Sequence, residues 1–492
     1  MVDFDLSTYL HKRLEQFSPS VTVSSYGTVT ATGDGVVRIN GLTGCRNGEL
    51  IKFEGGCYGM TLDIEEDNVG AVMLNTEDKV SVGDRVTGTG RVVSVPVGDY
   101  LFGRVIDPIG RALDGKSVEP LEFYPSERPA PPIFDRKPVN TPLETGIISV
   151  DTMIPIGRGQ RELIIGDRQT GKTSIAITAI LNQKGKNVHC VYCAIGQKAS
   201  TVAEIIDTLG KKGAMEYTTI VAATASDSPA MQYLAPYSAC SVAEYTRDKG
   251  GDALIIYDDL SKHAVAYRTM SLLLHRSPGR EGYPGDIFYL HSRLLERAAS
   301  MSKEKGNGTL TALPIIETQN GNISAYIPTN VISITDGQIY LEPELFHNGI
   351  RPAVNTGLSV SRVGRAAQPG AMKKLSGTLR IELSQYREMA VFARFGTDLD
   401  DSTKKQLADG ERLTQLLTQG NNTTYSVAEK TAILLAYKNG YFDETNPKMC
   451  VKKVPEMLAG LYSAIPDVME SINKNGDFSD IEKEKIVYYL SK

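Results

Sequence analysis

The sequence predicts a multidomain α/β protein: a small N-terminal antiparallel β-barrel, a central parallel α/β domain and a C-terminal α-helical bundle. Three observations predict it. Short alternating runs punctuated by glycine fill residues 25–93. Apolar runs of the type buried on both sheet faces alternate with helical stretches over 94–369. Helical periodicity then takes over from 370 to 492. At 492 residues the chain exceeds one ordinary core, and 41% hydrophobic with 23% charged residues is a globular composition.

Residues 1–24 are expected to form a helix and linker. "DLSTYLHKRLEQF" places Leu6, Leu10, Leu14 and Phe17 on one helical face. So short a helix is marginal alone, and its stripe calls for a partner. The barrel is read from "GTVTATGDGVVRING", "GELIKFEGGCYGMTLDI", "VGAVML" and "GDRVTGTGRVVSVPVG". A proline-rich stretch from 124 to 146 then threads extended chain into the next unit. "RELIIG", "NVHCVYCAIG", "YTTIVAATA", "ALIIYDD" and "TLTALPII" read as the buried parallel strands, with helices between them. The last third opens with "TLRIELSQYREMAVFARFG" and stays helical to "VPEMLAGLYSAIPDVMESINKNG".

Bulk properties exclude several roles. A net charge of -5 gives no support for general nucleic-acid binding, which favours a basic footprint. No run of about 18 apolar residues is present to span a membrane. "MVDFDLSTYL" has neither a signal-peptide n-region nor a transit-peptide bias, so the chain is expected to stay in the cytoplasm. The six cysteines have no disulfide-like spacing. Cys190 and Cys193 do form a C-x-x-C, but within an apolar strand where the two point to opposite faces, so buried thiols are the better reading.

The strongest motif is "LIIGDRQTGKTSIAI", which fits G-x-x-x-x-G-K-[ST] over Gly166, Asp167, Arg168, Gln169, Thr170, Gly171, Lys172 and Thr173. A strand precedes it and a helix follows. Glycines let backbone N–H groups wrap phosphates, and the helix N-terminus adds positive potential. Lys172 supplies a point charge, and the Thr173 hydroxyl is a Mg²⁺ ligand. A metal-facing carboxylate should end a later apolar strand, and Asp258 in "ALIIYDD" supplies it, while Asp259 reads as a helix cap. The central domain is therefore of the P-loop (RecA-like) type and should bind Mg-nucleotide. Where many ATPases place a water-activating carboxylate, after a strand expected to lie next to the phosphate-loop strand, this chain has Gln197. An amide can orient water but cannot take its proton, which weakens the case for hydrolysis without settling it. At "GLSVSRVGRAAQ", Ser359, Ser361 and Arg362 close an apolar run; Arg362 is either a surface cation or a finger for a neighbouring subunit.

With these segments laid out, the chain resembles the alpha subunits of F-type ATP synthases over nearly its whole length. The resemblance rests on "GDGVVRINGL", "EEDNVGAVML", "PIGRGQRELIIGDRQTGKT", "AIGQK", "LIIYDDLSK", "PGREGYPGDIFYLHSRLLERAA", "IPTNVISITDGQIYLE" and "NGIRPAVNTGLSVSRVG". It implies a chain that alternates with beta subunits in a hexameric ring and binds ATP or ADP with Mg²⁺ without turning it over. Gln197 then marks a non-catalytic site. Arg362 would be the finger reaching the catalytic site on a beta neighbour, with Ser359 beside it. Arg351 and Pro352 would line the adenine pocket with Gln419 and Asn421. The N-terminal helix would dock on a peripheral-stalk delta subunit, and the C-terminal helices would face the gamma shaft. Contact with the cytoplasmic face of the cell membrane would come only through other subunits.

Some positions depart from the family pattern. Asn421 stands where Gln is common, Ala199 replaces a longer polar residue, Arg365 replaces a small one, and His263 and His275 replace Gln and Arg. "SINKNGDFSDIE" over 471–482 has a calcium-loop look, but Ser471 stands at the first ligand position and a helix–helix turn is the better reading. The rival is a self-sufficient homohexameric ATPase, of the export or RNA-translocase type, which should carry Glu near 197.

Overall fold

The computed structural model describes residues 25–74, 80–117, 120, 122–393 and 400–491. The helix expected near the N-terminus lies outside them. Two compact units are present, 1–92 and 93–492.

In the first unit, β1 (Tyr26–Gly33), β2 (Val36–Asn40), β3 (Glu49–Phe53), β4 (Tyr58–Ile64), β5 (Asn68–Met73) and β6 (Arg85–Val92) close a barrel in the order 1-2-5-4-3-6. Every pairing is antiparallel. Alternation along the strands sends Val29, Val37, Ile39, Ile51, Phe53, Val69 and Val86 inward to fill it. The barrel read from the sequence is the barrel present.

In the second unit, β7 (Ser94–Val97), β8 (Val105–Ile106) and β9 (Glu122–Pro125) come first, with β7 paired to β9. β10 (Pro142–Leu143) and β11 (Ile156–Gly157) make a small ribbon. The main sheet is built from β8, β12 (Leu163–Asp167), β13 (Val188–Gln197), β14 (Thr218–Thr224), β15 (Asp252–Asp258), β16 (Ala299–Ser300), β17 (Thr309–Thr318), β18 (Gly337–Leu341) and β19 (Val360–Ser361). Its order is 19-18-12-17-15-13-14-8, with β16 on β17. Pairing is parallel except at β16 and β19. The strands are nearly continuous apolar runs because helices cover both faces. β13 lies beside β15, with β17 and β15 between it and β12, so the expected adjacency of the Gln197 strand to the phosphate-loop strand is corrected. A short apolar run carries no information about which neighbour it takes.

Helices from Gly370–Leu375 to Asp480–Leu490 form the C-terminal bundle. One hydrophobic core runs from Val105 and Ile164 of the sheet to Leu461 and Ile486 of this bundle. The seam also holds a buried charge. Lys430, fully enclosed on the helix Val427–Lys438, donates to Asp151 at 2.6 Å, with Glu144 at 3.7 Å. The calcium-like stretch is a turn: Gly476 ends one helix with φ +68°, and Ser479 and Glu482 form a capping box on the next. Asn473 accepts from the Ala428 N–H at 2.9 Å, and Asp477 pairs with Lys374 at 2.8 Å. All six cysteines are free thiols, and burial pushes Cys190 and Cys193 upward.

His263 is fully buried, its Nε2 3.1 Å from the Tyr233 carbonyl oxygen and its ring 5.4 Å from that of His291. Burial, then the charge of His291, pushes His263 well below its ordinary 6.5, with Arg293 adding to the effect. Burial likewise holds His291 down at about 4. Both are thus neutral in the fold and take protons more readily once unfolded. Their contribution is complete above the unfolded value and is lost as pH falls from there through the folded value. His263→Gln should therefore make the acid-side loss of stability shallower by about 1.4 kcal/mol per pH unit below 6.5. Urea denaturation in steps from neutral pH into this range reads it, and a native slope in the variant contradicts it.

Candidate functional site

The site is built where β12 turns into the helix Lys172–Leu181. Gly171 sits at φ +95°, a conformation that side chains disfavour, and lets the loop close over the helix N-terminus. At Gly166 a β-carbon would lie 2.7 Å from the Leu341 carbonyl oxygen and 3.0 Å from Thr170 Oγ1, so the loop packs too tightly there for any other residue. Lys172 Nζ donates to the carbonyls of Gly166 at 2.8 Å and Asp167 at 2.5 Å. Burial lowers its pKa, opposed by the carboxylates of Glu317, Asp259, Asp258 and Asp167.

Asp258 is the hub. Its Oδ2 accepts from Thr173 Oγ1 at 2.8 Å and from the buried Tyr192 hydroxyl at 2.6 Å. Its Oδ1 accepts from Gln197 Nε2 at 3.0 Å. The amide at 197 thus approaches the metal-side carboxylate as a donor. A glutamate there would face Asp258 as a second negative charge, a pairing that raises one pKa of the two. Asp259 caps the helix Leu260–Leu273 through the Lys262 N–H at 2.8 Å. Burial, then the Asp258 charge, pushes its carboxyl up to about 6.

A cavity of about 400 Å³ opens over the loop. Arg168, Gln169, Thr170, Gly171, Lys172, Thr173, Gln197 and Asp258 line one part of it, and Arg351, Pro352, Gln419 and Asn421 another. The Arg351 guanidinium lies 4.3 Å from the Phe346 ring centroid, giving that end a flat amphipathic wall. The donor set fits a magnesium nucleotide: backbone N–H groups and Lys172 for phosphates, and the hard oxygens of Thr173 and Asp258 for the cation.

The predicted residues differ in where their side chains lie. The Asp167 side chain turns away from the cavity, accepting from Thr318 Oγ1 at 2.5 Å and the Gly321 N–H at 2.9 Å. Its carboxylate thereby ties the loop to the end of β17 and the segment after it. Gln419 borders the cavity, but its amide is tied to backbone: Oε1 accepts from Ile148 N at 3.1 Å, and Nε2 donates to the Gly146 carbonyl at 2.8 Å and to that of Thr423. Arg362 and Ser359 are not among the cavity's residues. Arg362 is exposed, and its guanidinium makes no hydrogen bond or ion pair among the described residues. Ser359 is fully buried, with Oγ accepting from the Tyr340 N–H at 2.9 Å, so it holds the backbone behind Arg362 and reaches no surface.

Sequence reasoning missed Glu317, Lys262 and Phe346, which also line the cavity. Glu317, near the end of β17, holds Arg168 Nε at 3.0 Å. The signal was present, since a carboxylate follows the apolar run "TLTALPII" as Asp258 follows "ALIIY".

Fold and site define a P-loop nucleotide-binding chain with a barrel before and a helical domain after. Models of the ATP synthase alpha/beta family match in that order: the beta-barrel domain over residues 22–90, the nucleotide-binding domain over 146–361 and the C-terminal domain over 368–492. The chain is 56% identical over 485 residues to ATP synthase subunit alpha of Caldanaerobacter subterraneus subsp. tengcongensis, covering 98% of this chain and 96% of that one. It is 57% identical over 477 residues to the Acetivibrio thermocellus subunit alpha, covering 96% and 94%. Against the subunit alpha of Clostridium botulinum strain Eklund 17B it is 56% identical over 483 residues. The chain belongs to the ATP synthase alpha/beta family, among its alpha subunits. No helix among the described residues is long and apolar enough to cross a membrane.

Proposed function

We propose that the chain is the non-catalytic alpha subunit of a rotary F-type ATP synthase. It holds Mg-ATP or Mg-ADP in its own cavity without turning it over and lends Arg362 to the catalytic site of a neighbouring beta subunit. The observation that carries this reading is Gln197 beside Asp258: where hydrolysis would need a group to accept a proton from water, the chain places an amide that donates. The exposed, unshared guanidinium of Arg362, outside the chain's own cavity, supports its use on a partner. Bound Mg²⁺ would neutralise phosphate charge, held by Thr173 and Asp258.

The reading divides the chain at 24/25, 93/94 and 369/370. It places beta in alternation with this chain, the gamma shaft against the C-terminal helices and delta on the N-terminal segment, at the cytoplasmic face of the cell membrane. The rival homohexameric ATPase would have to use Glu317 as its base, a carboxylate already engaged by Arg168.

The test is a paired assay on the purified chain: equilibrium Mg-ATP binding and steady-state phosphate release. Binding with no release is expected, and Lys172→Ala should weaken binding about 10- to 100-fold by removing a charged hydrogen-bond donor. Turnover by the chain alone, abolished by Lys172→Ala, would hand the case to the rival.

A further inference from the structure

Tyr192 stands in β13 with its side chain fully buried, and its hydroxyl donates to Asp258 Oδ2 at 2.6 Å. The pairing of β13 with β15 puts it there. Ala194 is the register partner of Asp258, and Tyr192, two residues earlier, leaves the strand on the same face. The side chain facing Asp258 is thus only a methyl group, which leaves the phenol room to reach along that face. Gln197, at the far end of the same strand, donates to Oδ1 at 3.0 Å. One strand therefore holds Asp258 from two directions, while Thr173 holds it from the helix Lys172–Leu181 at 2.8 Å.

A carboxylate offers about four lone-pair sites, two on each oxygen. Thr173 and Tyr192 fill both sites of Oδ2, and Gln197 takes one on Oδ1. Among the described residues this leaves one site on Oδ1 for a cation or its water. Without the Tyr192 hydroxyl, the buried Asp258 would have a second free position and would lose a contact that fixes its rotation. A buried tyrosine must place its hydroxyl somewhere, but a neutral acceptor suffices: Tyr237, also buried, donates to the Leu290 carbonyl at 2.8 Å. Tyr192 instead gives its one polar side-chain atom to the carboxylate suited to the cation.

We propose that Tyr192 is the positioning residue for Asp258, fixing the rotation of this carboxylate so that Oδ1 and the Thr173 hydroxyl meet Mg²⁺ together. This rests on the cavity binding nucleotide with Mg²⁺. Tyr192 is not among the residues that line the cavity, so it touches neither nucleotide nor cation, and its effect passes through Asp258 alone. Partners standing behind a metal ligand are worth about 10- to 100-fold in affinity.

The experiment measures equilibrium ATP binding to the full purified chain, in saturating Mg²⁺ and again in excess EDTA, for native, Tyr192→Phe, Asp258→Asn and the double variant. Tyr192→Phe keeps the ring and removes only the hydroxyl. Mg-ATP binding should weaken about 10- to 100-fold while metal-free ATP binding stays native. In the Asp258→Asn background the same change should have no further effect, because the carboxylate through which Tyr192 acts is gone. That comparison also serves if Tyr192→Phe alone fails to fold, since the buried charge is removed together with its donor. Native or tighter Mg-ATP binding in Tyr192→Phe, an equal loss with and without metal, or a further loss on top of Asp258→Asn would each overturn the positioning role and leave the function intact. A native chain that binds ATP no better with Mg²⁺ than without it would overturn the reading on which the proposal rests.

Discussion

Replacing Arg362 with alanine is expected, on the proposed role, to lower ATP turnover by the assembled ring about 10³- to 10⁵-fold, the range spanned by fingers that stabilise charge on a transferring phosphoryl group. The physical case is that the side chain is not committed to the chain's own site. It is exposed, makes no hydrogen bond or ion pair among the described residues, and lies outside the cavity of its own chain. Mg-nucleotide binding to the isolated chain should therefore be native in the variant. Steady-state hydrolysis by the reconstituted ring reads the loss. A ring with Arg362→Ala that turns over normally shows that the transition-state charge is met elsewhere.

The second large effect concerns folding. Arg297 is completely buried and holds Glu244 with Nε at 3.0 Å and Nη2 at 2.8 Å, while also donating to the Ser126 carbonyl at 2.7 Å and Ser241 Oγ at 2.8 Å. Glu244 also meets Arg128 at 2.9 Å and the buried Arg247 at 3.4 Å. Burial pushes its carboxyl up, but the arginines, Arg297 foremost, outweigh that and hold it below its ordinary value. Glu244→Ala leaves two buried guanidinium groups without their shared counter-charge, at a cost of about 3–5 kcal/mol. Urea or guanidinium denaturation should show a lower midpoint. The double variant Glu244→Leu with Arg297→Met should recover much of the loss, since an apolar pair restores packing with no stranded charge. A double variant no better than the single would show that the network's worth is not electrostatic.

Much of this was legible in the sequence because the signals are local. The phosphate loop is eight contiguous residues, its strand and helix abut it, and Asp258 announces itself by ending an apolar run. The barrel and the helical bundle follow from periods of two and of 3.6. What escaped depends on direction and distance. Asp167 belongs to the motif, yet its side chain turns to Thr318 and Gly321, more than 150 positions along the chain. Gln419 reaches the cavity only to spend its amide on backbone at 146 and 148. Arg297, in "LLERAA", carries no local sign of burial, yet it is fully enclosed because Ser126, Ser241 and Glu244 close around it. Strand order, which separates Gln197's strand from the phosphate loop, is likewise a property of the whole sheet.

Lys430 has a consequence for how the chain can be divided. Sequence periodicity suggests a cut near 369, with a helical cassette beyond it. But the ammonium that neutralises Asp151 comes from that cassette, and the apolar core passes through the same seam. Cut there, the nucleotide-binding half keeps a buried carboxylate without its cation, and the helical half keeps an apolar face without its cover. Residues 93–492 form one compact unit, so a chimera that swaps the helical part should carry Glu144 and Asp151 with it. In this chain the unit of exchange is larger than the unit of pattern.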